Sequence, residues 1–230
     1  MDENQENCKI TIIKDGPYIV SGNIPLHEKI ITPVGDGTYE YKEGRKLPQS
    51  AEYVLCRCGQ TKSPPFCDGS HEKCGFKGTE TASKATYMER VEVKVEGPEI
   101  DLLDDGRCSY ARFCHRKYGD MWYLAKSHDP SDIDDVIAGA RECPSGRLVV
   151  KDKEGKTLEE DFEPIIEILQ DPKELVSGPI YVKGKITIES SNGYTYEEQN
   201  RATLCRCGKS RNKPFCDGMH VPIGFVDGMK

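Results

Sequence analysis

The sequence predicts an α+β protein in three parts: two small β-rich units related by internal duplication, flanking a different α+β segment. Three observations predict this. Cys56-Arg57-Cys58-Gly59 leading to Pro65-Phe66-Cys67-Asp68-Gly69-Ser70-His71 recurs as Cys205-Arg206-Cys207-Gly208 leading to Pro214-Phe215-Cys216-Asp217-Gly218-Met219-His220. The self-similarity runs further, pairing Gly16-Pro17-Tyr18-Ile19-Val20 with Gly178-Pro179-Ile180-Tyr181-Val182, Tyr39-Glu40-Tyr41 with Tyr194-Thr195-Tyr196, and Gly75-Phe76 with Gly224-Phe225. The stretch between the copies, Thr86 to Glu160, has a pattern of its own. Boundaries are therefore expected at 1–84, 85–160 and 161–230.

In the first copy Ile10-Thr11-Ile12-Ile13 is β-branched and stopped by Asp15-Gly16-Pro17, which reads as a strand. Its counterpart Pro164 to Leu169 is ambiguous between helix and strand on periodicity alone, and the repeat assigns it as a strand. The first copy is longer before its Cys-x-Cys, and a loop insertion around Pro25 to Gly37 is expected. Asp68 and Asp217 stand where an N-cap would open a single helical turn carrying the histidine. In the middle segment, Tyr87 to Val95 alternates like a strand, and Ser131 to Ala140 reads as a helix capped by Ser131. Leu148 to Val150 is a short strand ahead of the Lys153-Glu154-Gly155 turn.

Composition narrows the function classes. The 230 residues carry a net charge of −7, which disfavours a nucleic-acid footprint. No apolar run approaches the ~20 residues of a membrane span. The opening Met1-Asp2-Glu3-Asn4-Gln5-Glu6-Asn7 is acidic and unlike an export signal, and 11 cysteines in such a chain favour metal ligation over disulfides. A reducing cytoplasm is the expected location. Thin, polar modules of this kind need staples, and bound metal is one. There is no dinucleotide-binding glycine fingerprint, P-loop or nucleophile–base pair, so no enzyme is expected.

Each loop offers C-x-C, eight residues, then C-x3-H, a four-ligand set of three thiolates and an imidazole. Structural zinc accepts Cys3His, usually gripped by two wider knuckles. A [2Fe–2S] cluster needs two ligands per iron, which suits Cys56 with Cys58 and Cys67 with His71. At these residues the chain resembles the CDGSH iron–sulfur family, also called NEET proteins. Both copies fit its pattern C-x-C-x2-[ST]-x3-P-x-C-D-G-[STA]-H through Thr61 and Pro65, and through Ser210 and Pro214, with Met219 as the one departure. The resemblance implies a 3Cys–1His [2Fe–2S] cluster in each copy, the second held by Cys205, Cys207, Cys216 and His220. It also implies tandem units paired about a pseudo-two-fold within a monomer. Imidazole in place of a thiolate raises the reduction potential, and a protonatable ligand makes the cluster acid-labile. Lys62, Lys209, Arg211 and Lys213 could offset cluster charge or dock an acidic partner, or simply be solvated.

Cys108-x5-Cys114 and a later Cys143-Pro144 resemble the divergent single-cluster ferredoxin domains that often accompany CDGSH motifs, which makes the middle ferredoxin-like. That resemblance implies a [3Fe–4S] or, less favoured, a [4Fe–4S] cluster on Cys108, Cys114 and Cys143. The further ligand position is Ala111, and His115 is the neighbouring substitute; the alternative is a scaffold that kept its cysteines without a cluster. Cys8 and Cys74 read as small buried or idle thiols, His27 and His128 as surface residues, and Trp122 and Tyr123 as core. The expected function is single-electron transfer with a soluble redox partner. The alternatives are donation of a cluster to an apo-protein acceptor or redox and iron sensing, and a zinc-stapled structural protein.

Overall fold

The computed structural model describes residues 8–228, so the acidic opening stretch lies outside the described residues. The first unit carries β1 (Lys9–Ile12), β2 (Tyr18–Ser21), β3 (Leu26–Gly35), β4 (Thr38–Lys46), β5 (Glu52–Leu55) and the single turn α1 (Ser70–Lys73). The middle segment carries α2 (Tyr87–Arg90), β6 (Val93–Glu96), β7 (Asp101–Asp104), β8 (His115–Arg116), β9 (Gly119–Asp120), α3 (Met121–Leu124), α4 (Pro130–Glu142) and β10 (Leu148–Lys151). The second unit carries β11 (Ile165–Asp171), β12 (Val176–Lys183), β13 (Thr187–Glu189) and β14 (Arg201–Leu204).

The duplication is visible in strand register. In the first unit Ile12 faces Tyr18, and Tyr18 faces Leu55; in the second Ile168 faces Ile180, and Ile180 faces Leu204. The two units also exchange strands. β3 leaves the first unit and pairs in parallel with β11, Leu26 opposite Ile166, while β13 leaves the second and pairs in parallel with β1, Ile188 opposite Ile10. The sheets therefore run β13-β1-β2-β5 and β14-β12-β11-β3-β4, each containing chain from both copies. Their inner faces share one core, in which Ile10, Leu26, Ile166 and Ile188 are all buried. Each such side chain contributes about 1.5–3 kcal/mol on burial, so neither unit keeps its core alone.

The expected insertion in the first copy is a β-hairpin, not a loop. β3 and β4 pair antiparallel along most of their length, giving the second unit's sheet an additional edge. The match of Tyr39-Glu40-Tyr41 to Tyr194-Thr195-Tyr196 does not survive the register. Tyr196 stands opposite Ile188, whereas Tyr41 stands opposite Ile31, farther out on the longer hairpin. There Tyr41 packs on Phe113 at 4.4 Å between ring centroids and donates to the Glu142 carbonyl at 2.8 Å, joining the hairpin to the middle segment.

The middle segment is a three-stranded antiparallel sheet, β10-β7-β6, packed under α3 and α4. Tyr87 to Val95 is not one strand. The Glu89 carboxylate reaches back to accept from the Thr86 amide at 2.7 Å and hydroxyl at 2.9 Å, which opens α2 before β6 begins. α4 starts earlier than expected because Asp129, not Ser131, caps it, accepting from the Ser131 amide at 2.9 Å with Pro130 in the first turn. Met121 and Leu124 supply the buried face of α3; Trp122 is half-buried and Tyr123 exposed, so neither forms the core centre.

This segment docks on the second unit. Arg201 on β14 is buried and donates to the carbonyls of Cys143 and Leu148, while its guanidinium also pairs with Glu159. Arg107 stacks over Phe215 at 5.0 Å, and Arg112 forms a bidentate pair with Asp171 at 2.7 and 2.9 Å.

Candidate metal centres

The motif residues outside the ligands build the same loop twice. Cys56 and Cys205 donate their amides to the carbonyls of Pro65 and Pro214, both at 2.8 Å. Thr61 and Ser210 donate their hydroxyls to the carbonyls of Phe66 and Phe215, both at 2.7 Å, which explains the hydroxyl required there. Asp68 accepts from the amides of Lys62 at 2.8 Å and Ser70 at 3.0 Å; Asp217 accepts from those of Arg211 at 2.8 Å and Met219 at 3.1 Å. The Lys62 amide, then Ser70, holds the Asp68 carboxyl far below the ordinary range. Met219 thus preserves the backbone bond that Ser70 makes. The expected helical turn forms only in the first copy, as α1; residues 219–224 are a run of turns.

These loops bring the candidate ligands together in pairs. Cys56 Sγ lies 3.6 Å from Cys58 Sγ, and Cys67 Sγ lies 3.3 Å from His71 Nδ1. In the second copy Cys205 and Cys207 are 3.7 Å apart, and Cys216 lies 3.5 Å from His220 Nδ1. Two ligands about 2.3 Å from one tetrahedral metal stand about 3.7 Å apart, so each pair fits one metal atom. Among the described residues no three Cys, His, Asp or Glu side chains converge on a single-ion site. Cys56 is pulled down to about 6 by the Cys58 thiol and the amides of Gly59 and Thr61; Cys205 falls to about 7 through Cys207 and the amides of Ser210 and Gly208. The shared hydrogen bond pushes the partners Cys58 and Cys207 up, and burial pushes Cys67 and Cys216 up, so one thiolate per Cys-x-Cys pair is favoured before metal binds.

Behind each Cys-x-Cys the arginine is buried. Arg57 donates to the Gly78 carbonyl at 2.5 Å and lies over the rings of Tyr18 and Phe76. Arg206 donates to the carbonyls of Gly178 at 2.7 Å and Leu169 at 3.1 Å and forms an ion pair with Asp227. Tyr18 crosses between the units, donating to the carbonyls of Cys205 at 2.8 Å and Pro214 at 3.1 Å. These braces went unread in the sequence. The repeated Cys-Arg-Cys was a visible signal for the arginines; nothing local marks Tyr18.

The centres differ in cover. Cys216 and His220 are 4% and 3% exposed, whereas Cys67 and His71 are half-buried. Burial, followed by the nearby Arg206 charge, lowers the His220 ring to about 4.

Cys108, Cys114 and Cys143 are unbridged and lie within electrostatic reach of one another around Cys114. Burial first, then Cys143 and Cys108, pushes the Cys114 thiol up to about 11. Cys108 Sγ accepts from the Tyr110 amide at 3.3 Å, and Cys143 Sγ stands 3.4 Å from the Ser145 hydroxyl. The Ser109 hydroxyl, on the residue after Cys108, is buried without a hydrogen-bond partner. Ala111 packs with Ile31, Phe113, Leu169 and Tyr181, so that position belongs to a core cluster, and His115 is exposed on β8. Cys74 is exposed rather than buried; Cys8 is half-buried; His27 and His128 are exposed as expected.

No curated protein and no solved structure matches the chain. The family described as iron-binding zinc finger, CDGSH type, matches residues 15–72 and 177–221, the two segments that hold the paired ligands. Both segments belong to this iron–sulfur family, whose usual group is [2Fe–2S], and the chain carries its unit twice.

Proposed function

We propose that the chain holds one [2Fe–2S] cluster on Cys56, Cys58, Cys67 and His71, another on Cys205, Cys207, Cys216 and His220, and a third, [3Fe–4S] in type, on Cys108, Cys114 and Cys143. It passes single electrons between soluble partners and performs no catalytic step of its own. The third site keeps the ferredoxin-like reading of the middle segment, supported by three unbridged cysteines and an orphan Ser109 hydroxyl. Bound clusters supply one-electron couples. The chain's part is to hold thiolates with backbone amides, present a neutral imidazole through Nδ1, and exclude water.

The observation that carries this reading is the mutual packing of the cysteine loops. Gly59 lies on the backbone of Cys207, Gly208 lies on that of Cys58, and Cys108 lies within electrostatic reach of Cys216. Three sulfur-ligand sets in one small body suit an electron path better than a set of isolated staples. Because strand exchange completes both units within one chain, the carrier works as a monomer.

Visible absorption and EPR on anaerobically purified protein, with iron, sulfide and zinc counted, test the reading. About four irons per chain mean two [2Fe–2S] centres, and about seven add the middle cluster. Colourless protein with stoichiometric zinc sinks the proposal. A second reading, cluster donation, is favoured by the half-buried Cys67 and His71, and it predicts that colour moves to an apo-acceptor.

A further inference from the structure

The duplicated centres have the same ligands but different surroundings. In the first loop an added Cβ on Gly69 would meet nothing within 4 Å. At the equivalent Gly218 it would run into the ring of Tyr110, which comes from the middle segment's cysteine loop. Tyr110 holds φ +59° and Arg112 holds φ +68°, two side-chain-bearing residues in the left-handed region. Such strain persists where surrounding contacts over-determine it. Here they are the Arg112–Asp171 fork, reaching the end of β11, and the Tyr110 ring on Gly218. Cys216 and His220, which flank Gly218, are buried, whereas Cys67 and His71, which flank Gly69, are half-buried.

We infer that the two CDGSH centres have divided labour: the first is the exchange port for iron, clusters or a docking partner, and the second is a retained inner centre closed by Tyr110. This rests on the reading that both loops hold [2Fe–2S]. Tyr110 is a positioning residue. It makes ligand exchange at Cys216 and His220 wait on local opening of the middle segment, whereas Cys67 and His71 need no such opening. The same docking brings Cys108 within electrostatic reach of Cys216.

The test is chelator challenge of the intact, cluster-loaded chain with a bipyridyl chelator, following the EPR signal of dithionite-reduced [2Fe–2S] in timed aliquots. Two phases of equal amplitude are expected, the slow one at least about tenfold slower. Tyr110→Gly, which suits the left-handed backbone and should leave the melting temperature unchanged, is expected to merge the slow phase into the fast one. Tyr110→Phe should keep both phases, because the ring and not the hydroxyl lies on Gly218. Cys67→Ser should leave only the slow phase. A single phase in the parent chain, a slow phase that persists in Tyr110→Gly, or a Cys67→Ser chain retaining only the fast phase overturns the inference. Zinc in place of iron and sulfide overturns the reading beneath it, and the metal count separates that failure from the others.

Discussion

Gly59 sits so close to Cys207 that a Cβ on it would stand 2.7 Å from the Cys207 carbonyl oxygen. Gly208 stands in the reciprocal relation to Cys58, at 2.5 Å. The two Cys-x-Cys loops therefore pack on each other reciprocally, each glycine against the other loop's backbone. Both glycines have positive φ, +74° and +76°, so two separate constraints exclude a side chain.

Gly59→Ala is accordingly expected to destabilise the fold by more than the about 1–2 kcal/mol of a left-handed alanine, because the obstacle is backbone and cannot swing away. Chemical denaturation reads the loss. An unchanged midpoint would mean that the loops are not in contact in solution.

Asp227 neutralises Arg206 inside the second unit, whereas Gly78, seven residues past His71 as Asp227 is past His220, offers Arg57 only a carbonyl. Asp227→Ala leaves a buried, unpaired guanidinium and should cost about 3–5 kcal/mol. Asp227→Asn, which keeps a hydrogen-bonding partner for Ser177 and Arg206, should cost less. Equal losses for the two variants would show that the charge of the pair is irrelevant.

Glu28 anchors the exchanged hairpin. Its carboxylate accepts from the Arg45 amide at 3.0 Å and from the guanidinium at 3.1 and 2.9 Å. Burial pushes this carboxyl up, and the Arg45 side chain and amide more than reverse that, leaving it below its ordinary value. A depressed carboxyl stabilises the fold fully above its unfolded pKa, and the benefit is lost as pH falls through the folded one. Glu28→Gln should thus cost about 1–3 kcal/mol near neutral pH, with the gap to the parent chain closing in acid. Urea melts at a series of pH values measure it, and a gap independent of pH would contradict the assignment.

Ligand removal should be additive by centre. Cys58→Ser is expected to abolish the first [2Fe–2S] and Cys207→Ser the second, each removing about half of the total [2Fe–2S] iron. Loss of all iron from either single variant would mean that the sites load only together.

Much of the site was legible in the chain because ligand chemistry is local. C-x-C and C-x3-H place their side chains within a turn of each other, and the hydroxyl, Pro and Asp positions between them act through backbone bonds no more than about ten residues long. The duplication also resolved an element that periodicity could not, assigning 164–169 as a strand; the structure forms it as β11. Where two local rules competed, the pattern misled: alternation over Tyr87 to Val95 suggested a strand, and the Thr86–Glu89 capping box won.

By itself, then, the sequence determined two duplicated four-ligand loops, a distinct cysteine-bearing middle and the order of most elements, all set by interactions between near neighbours. Only the tertiary structure decided that β3 and β13 change places, that Gly59 meets Cys207, and that the Tyr110 ring lies on Gly218 while Gly69 faces open space. Those outcomes depend on which apolar faces share a core and which loop a third segment finds to dock on. Such contacts join residues as far as 196 positions apart, as Tyr18 and Pro214 are, and no spacing rule along the chain encodes them.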